Sequence, residues 1–209
     1  MTRWKSINTS ASEDRLERII QERLKPGADK KRIDKRIWDL FGEDWAVMFT
    51  DLSGFSRRVA EFGIIHFLQT IYESQRVLIP VIEDHDGVLL KVEGDSFLVI
   101  FRNAHKALNC AIAMQRTAKE YNQSLPDEEK VLLCVGLGHG RVLRIGDADV
   151  WGAEVNAASK LGEDIAKAWE IFVTGAAREA CTGLPGLQFE KLPVPPVGTD
   201  SAFRVKYKI

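Results

Sequence analysis

Residues 88–101 read VLLKVEGDSFLVIF. Two short apolar runs, 88–92 and 96–101, flank Glu93-Gly94-Asp95. Runs of that length, rich in β-branched and aliphatic side chains and interrupted by glycine and aspartate, predict two strands joined by a tight hairpin. Upstream, residues 45–50 (WAVMFT) form an apolar run that ends at Asp51, which predicts a buried strand. Between these strands helical spacing runs to about His85, with a break near Gly63 and a turn at Asp86-Gly87. Downstream come an amphipathic helix over 104–122, a polar loop over 123–130 and a strand over 131–139, followed by a short hairpin through about 149. This β-α-β-β-α-β series is the split-βαβ pattern of the ferredoxin-like α+β folds. Added to it are a helix over 153–168, a strand over 169–174, a short helix over 175–182 and C-terminal strands around 187–192 and 202–208.

Ahead of the core, residues 1–10 are polar and expected to be loose. Residues 11–24 predict a helix, with Leu16, Ile19, Ile20 and Leu24 at helical spacing and Ser12 as its cap. Pro26-Gly27 breaks the chain, and residues 29–41 resume a helix on the stripe Ile33, Ile37, Trp38 and Phe41. Its basic face reads as a solvated surface or as a segment that couples a signal to the core or helps it dimerise. The chain thus divides into an N-terminal helical extension, 1–43, and one folded domain, 44–209.

The formal net charge of -1 gives no global signal for nucleic acid or an acidic membrane surface. Cys110, Cys134 and Cys181 are odd in number and far apart, which suits reduced thiols in a cytoplasmic protein better than disulfides. His66, His85, His105 and His139 lack zinc-ligand spacing. Residues 1–20 contain no apolar core of a secretion signal, and no apolar run is long enough to cross a membrane.

In the split-βαβ topology the first and second strands are parallel, with the third between them. The end of the first strand therefore lies beside the hairpin that joins the second and third. Asp51 ends the first strand and Asp95 sits in that hairpin, so the topology brings the two carboxylates together. Paired carboxylates suit Mg²⁺ or Mn²⁺, hard cations that take oxygen ligands. Such ions activate a hydroxyl and offset charge on a triphosphate. The turn after Asp51 leads into a helix, with Ser53 or Ser56 as a cap; the backbone N–H groups of Ser53, Gly54, Phe55 and Ser56 lie where phosphate binding is favoured.

Three segments, FTDLSGFS (49–56), KVEGDSF (91–97) and DVWGAEVNAASKL (149–161), resemble the signature segments of class III adenylate and guanylate cyclase catalytic domains. The resemblance covers roughly residues 44–176. It implies Asp51 and Asp95 as metal ligands, with the Leu52 carbonyl as an extra one. It implies Lys91 and Asp149 as the residues that read adenine, Asn156 as the residue that orients the ribose, and Lys160 at the position of a catalytic arginine. Lysine there keeps the charge and loses the planar fork of donors. The family's C-terminal phosphate-binding lysine has no clear counterpart; Lys191, Lys206, Arg141 and Arg144 are the candidates. The segment from Gly140 to Asp149 is shorter than in many family members. Trp151 follows Asp149 closely enough to pack beside a base. The turn EGDSF departs from the pattern of diguanylate cyclases.

The resemblance implies an adenylate cyclase that uses two Mg²⁺ or Mn²⁺ ions per site and turns ATP into 3′,5′-cyclic AMP at a homodimer interface. One subunit would supply the aspartates and the other the base, ribose and phosphate residues. A cyclic pyrimidine product and a silent nucleotide-binding dimer are the alternatives.

Overall fold

The computed structural model describes residues 10–208, with backbone alone for Phe55, Ser56, Arg57 and Arg58. Residues 1–9, expected to be loose, lie outside the described residues. Two helices, α1 (Ala11–Arg23) and α2 (Lys30–Phe41), lead into strand β1 (Gly42–Leu52). Then follow α3 (Phe55–Phe62), α4 (Ile64–Asp84), β2 (Val88–Glu93), β3 (Ser96–Phe101) and α5 (Ala104–Tyr121). The second half holds β4 (Leu133–Ile145), β5 (Asp149–Trp151), α6 (Ala153–Ser159), a π-helical turn (Lys160–Ile165), β6 (Ile171–Thr174), α7 (Gly175–Ala180), β7 (Gln188–Lys191) and β8 (Ala202–Lys206). No described helix is long and apolar enough to cross a membrane.

The strands form one sheet in the order β2-β3-β1-β4-β6-β8-β7, with β5 paired to β4. β3 lies between β2 and β1 and is antiparallel to both, as the α+β, ferredoxin-like reading requires. Side chains of β1 alternate between the two sheet faces. Ala46 and Met48 face α4 and α5 and join the main core with Leu78, Ile82, Leu108 and Met114. Each of the leucine, isoleucine and methionine side chains withdrawn from water stabilises the fold by roughly 1.5–3 kcal/mol. Val47 faces the other way, in a cluster with Trp45, Leu98, Ile100, Val142 and Val150. Helix α6 lies flat on this second face because β4 carries glycine where it passes. A Cβ at Gly136 would sit 2.2 Å from the Ala158 carbonyl oxygen, and one at Gly138 would sit 2.5 Å from that of Glu154.

Several local expectations are corrected. The cap of α1 is Ser10, not Ser12, because Glu13 stands three residues on and completes a reciprocal capping box. Leu24 is not on the buried stripe; it caps the helix end and is 70% exposed. Trp38 is half-buried and lies under the Arg141 guanidinium, 5.5 Å from the ring centroid. Neither Ser53 nor Ser56 caps α3; Gly54 does, in the left-handed region at φ 88°. The helix expected over 153–168 ends as an α-helix at Ser159 and closes with the π turn. Its Gly162 packs where a Cβ would meet the Phe49 carbonyl oxygen at 2.8 Å. The strand expected over 131–139 continues to Ile145 because β1 pairs with it along its whole length, from Leu52↔Leu133 to Gly42↔Leu143.

Candidate active site

Thr50, immediately before Asp51, is fully buried, and its hydroxyl accepts a hydrogen bond from the Phe97 backbone N–H at 3.1 Å. This clamps the end of β1 to the start of β3 and sets Asp51 beside the β2–β3 turn. Asp95 in that turn is close enough to act on the Asp51 carboxyl, and the Ser96 hydroxyl lies 3.5 Å from Asp51 Oδ1. Burial, and then the charge and hydrogen bond of Asp95, push the Asp51 carboxyl up to about 7, with Glu163 raising it further and the Leu52 N–H opposing. Two carboxylates held against each other without a cation are electrostatically unfavourable, and an oxygen-seeking divalent ion relieves that conflict. The donor set therefore fits Mg²⁺ or Mn²⁺. No group of three or more His, Cys, Asp or Glu residues able to hold a metal occurs among the described residues. A cation at this pair would take its remaining ligands from the backbone, water or substrate oxygens.

The backbone after Asp51 turns at Ser53, whose N–H is bonded to the Leu132 carbonyl at 2.8 Å, and at Gly54. Phe55 and Ser56 then open α3, so this turn stands at a helix N-terminus next to the carboxylate pair, as expected.

Lys91 reaches the second sheet face through an irregularity the sequence did not reveal. Val88 and Leu89 pair with Ile100 and Val99, but Lys91, not Leu90, pairs with Leu98. Leu90 is thus the extra residue of a β-bulge, and the shift moves Lys91 onto the face that carries Leu98. There its Nζ meets Asp149 Oδ2 at 2.7 Å. The hydrogen bond and charge of Asp149 raise the lysine's pKa against the opposing effect of burial. A cavity of about 140 Å³ opens beside the pair; Phe49, Leu98 and Val155 form its apolar walls, and Glu163 also lines it. An apolar slot with one cation and one carboxylate at its edge can hold a flat heterocycle and read a donor and an acceptor on it.

Asn156 is exposed on α6, and the Lys160 N–H bonds the Asn156 carbonyl, so the helical register between them is kept. The Lys160 ammonium lies 3.6 Å from Asp164. Of the four candidate phosphate-binding cations, three are engaged elsewhere. Lys206 pairs with Glu190 at 2.7 Å. Arg141 donates to the Trp38 carbonyl. Arg144 pairs with Asp147 and lies over Trp45. Lys191 is exposed at the end of β7. Trp151 is 60% exposed.

Sequence reasoning missed Glu163. It lines the cavity beside Lys91 and Asp149, accepts a hydrogen bond from Ser159 and acts electrostatically on Asp51. Helical spacing could not have found it, because the chain leaves the α-helical period at Lys160 and turns π-helical through Ile165.

The adenylate and guanylate cyclase catalytic domain model matches residues 42–194. Among curated proteins, the chain is 30% identical over 138 residues to the serine/threonine-protein kinase pkn2 of Myxococcus xanthus. It is 28% identical over 144 residues to putative adenylate cyclase 3 of Rhizobium meliloti. These matches cover 66% and 69% of this chain but only 16% and 24% of those longer proteins. A solved adenylate/guanylate cyclase/hydrolase from Silicibacter pomeroyi shares the fold at a TM-score of 0.69 and 23% identity, over 78% of this chain and 95% of that one. With Asp51 beside the β2–β3 turn, Lys91 paired to Asp149 and the family model spanning β1 to β7 of the chain, the chain belongs to the adenylate and guanylate cyclase catalytic domain family.

Proposed function

We propose that the chain is an adenylate cyclase that converts ATP to 3′,5′-cyclic AMP and pyrophosphate at the interface of a homodimer. The observation that carries this reading is the Lys91–Asp149 pair at the edge of an apolar cavity. Lys91 offers a donor to adenine N1, and Asp149 accepts from the N6 amino group. In the free protein each satisfies the other, so a bound base takes over hydrogen bonds that are already in place. Guanine presents the opposite donor and acceptor at these two positions.

Asp51 and Asp95 would hold two Mg²⁺ or Mn²⁺ ions, with the Leu52 carbonyl as a further ligand. Bound there, the ions would lower the pKa of the ribose 3′-hydroxyl and offset triphosphate charge. The N–H groups of Gly54, Phe55 and Ser56 would receive phosphate oxygens; that of Ser53, expected to join them, is taken by the Leu132 carbonyl. Asn156 orients the ribose, and Lys160 sets positive charge against the phosphate at which the 3′-oxygen attacks. Positioning and charge do the rest, as in other phosphoryl transfers. One subunit would supply Asp51 and Asp95, and its partner Lys91, Asp149, Asn156 and Lys160. A C2 dimer would then hold two equivalent sites.

The test is incubation with Mn²⁺ and each of ATP, GTP, CTP and UTP, with products resolved by mass. Cyclic AMP, lost on Asp51→Ala, supports the reading. A cyclic pyrimidine product overturns the base assignment and keeps the chemistry. A second reading, a silent dimer that binds nucleotide as a regulatory module, is favoured by Lys160 in place of arginine and its approach to Asp164. Nucleotide binding without any cyclic product would support it.

A further inference from the structure

We propose that the N-terminal helical hairpin α1–α2 is a buttress that holds Asp149 in position, so that residues of this extension set base discrimination without touching nucleotide. The inference rests on Asp149 reading the base. The last pairing between β1 and β4 is Gly42↔Leu143; beyond it β4 continues as a ribbon with the three-residue β5. A two-stranded ribbon has little stability of its own.

One face of this ribbon is anchored on the core: Val150 packs with Trp45, and Arg144 lies over the same ring. Ile145 and Asp149 are cross-strand partners, and so are Leu143 and Trp151, which puts all four on the other face. The N-terminal helices cover the Leu143 and Ile145 part of that face, while Trp151 stays exposed. Ile145 is 4% exposed and packs with Ile19, Ile33, Ile37 and Phe41. The turn between the strands meets the start of α1, where a Cβ on Gly146 would lie 2.8 Å from Ser10 Oγ, the cap of that helix. A cleft of about 310 Å³ separates Leu16 and Ile20 of α1 from Asp149 and Trp151. Asp149 thus borders two cavities, one with Lys91 and one with α1. The helices that pack on Ile145, its cross-strand partner, lie outside the 42–194 match to the family model.

The experiment measures ATP and GTP dissociation constants in Mn²⁺ on the full chain, for wild type, Ile19→Ala, Leu16→Ala and Asp149→Ala. Leu78→Ala, a cavity in the main core, controls for general loosening. The expected result is a preference for ATP over GTP that falls roughly three- to tenfold in Ile19→Ala and Leu16→Ala. Mn²⁺ affinity without nucleotide should stay unchanged, and Leu78→Ala should keep the wild-type preference. If both N-terminal variants keep the preference while Asp149→Ala loses it, the buttress is wrong and the base reading stands. Equal loss in Leu78→Ala also overturns the buttress. If wild type has no preference, or Asp149→Ala leaves it unaltered, the base assignment itself fails and the inference with it. Should Ile19→Ala not fold, Leu16→Ala, at a half-buried position, decides.

Discussion

Lys91 and Asp149 stand 58 positions apart in the chain and meet through a 2.7 Å contact between Nζ and Oδ2. The contact depends on the β-bulge at Leu90 and on the hairpin β4–β5, two features on different strands. Lys91→Ala and Asp149→Ala should each lower kcat/KM for ATP by about 10- to 100-fold, the scale of a hydrogen bond to a charged group. The loss for GTP should be smaller, so the ATP-to-GTP ratio falls. Steady-state kinetics with both nucleotides decides; equal losses for the two would remove the base-reading role.

The position of Asp51 makes stability pH-dependent in a defined direction. Its folded pKa of about 7 lies above the ordinary 3.8, so the native state keeps a proton that the unfolded chain gives up. That contribution is complete below the ordinary value and disappears as pH rises through about 7. Asp51→Asn does not titrate. Without divalent ions, its melting temperature relative to wild type should therefore rise across that window. A difference that stays flat with pH would contradict the assigned environment. Adding Mn²⁺ at the alkaline end should raise the wild-type midpoint and leave the variant where it is.

Lys160→Arg should raise kcat with little change in KM, because the guanidinium fork offers paired donors to phosphate oxygens that a single ammonium cannot. Lys160→Ala should lower kcat by about 10²–10³-fold, the scale of one lost preorganised donor. Single-turnover measurements separate this effect from product release. An unchanged rate in Lys160→Ala would remove the residue from the chemistry.

A shared site predicts complementation. Asp51→Ala and Lys160→Ala should each be strongly impaired alone, yet a mixture should recover activity, since a mixed dimer rebuilds one intact site. Specific activity of the wild type should also fall on dilution. A mixture no more active than its components, with subunit exchange verified, would argue against sites built from two subunits.

Gly136→Ala should destabilise the fold by at least ~2 kcal/mol, because backbone atoms of α6 and the π turn stand where the new methyl would go. Urea denaturation measures it. A fully stable variant would mean that α6 can lift off the sheet.

The order and kind of the core elements were legible in the chain because they follow from local pattern. The apolar run ending in Asp51, the glycine–aspartate turn at residues 94–95 and the three signature segments needed no tertiary information. The adjacency of Asp51 and Asp95 followed as well, since the split-βαβ order puts a strand end next to that hairpin. The tertiary structure alone decided the rest. The Leu90 bulge depends on the register with β3, and register is a property of two strands. The high pKa of Asp51 depends on burial and on neighbours that arrive from Asp95 and Glu163. The docking of α1 and α2 on Ile145 depends on where the β4–β5 ribbon ends. Periodicity within one segment names the face a side chain takes, but only packing between segments determines what that face meets.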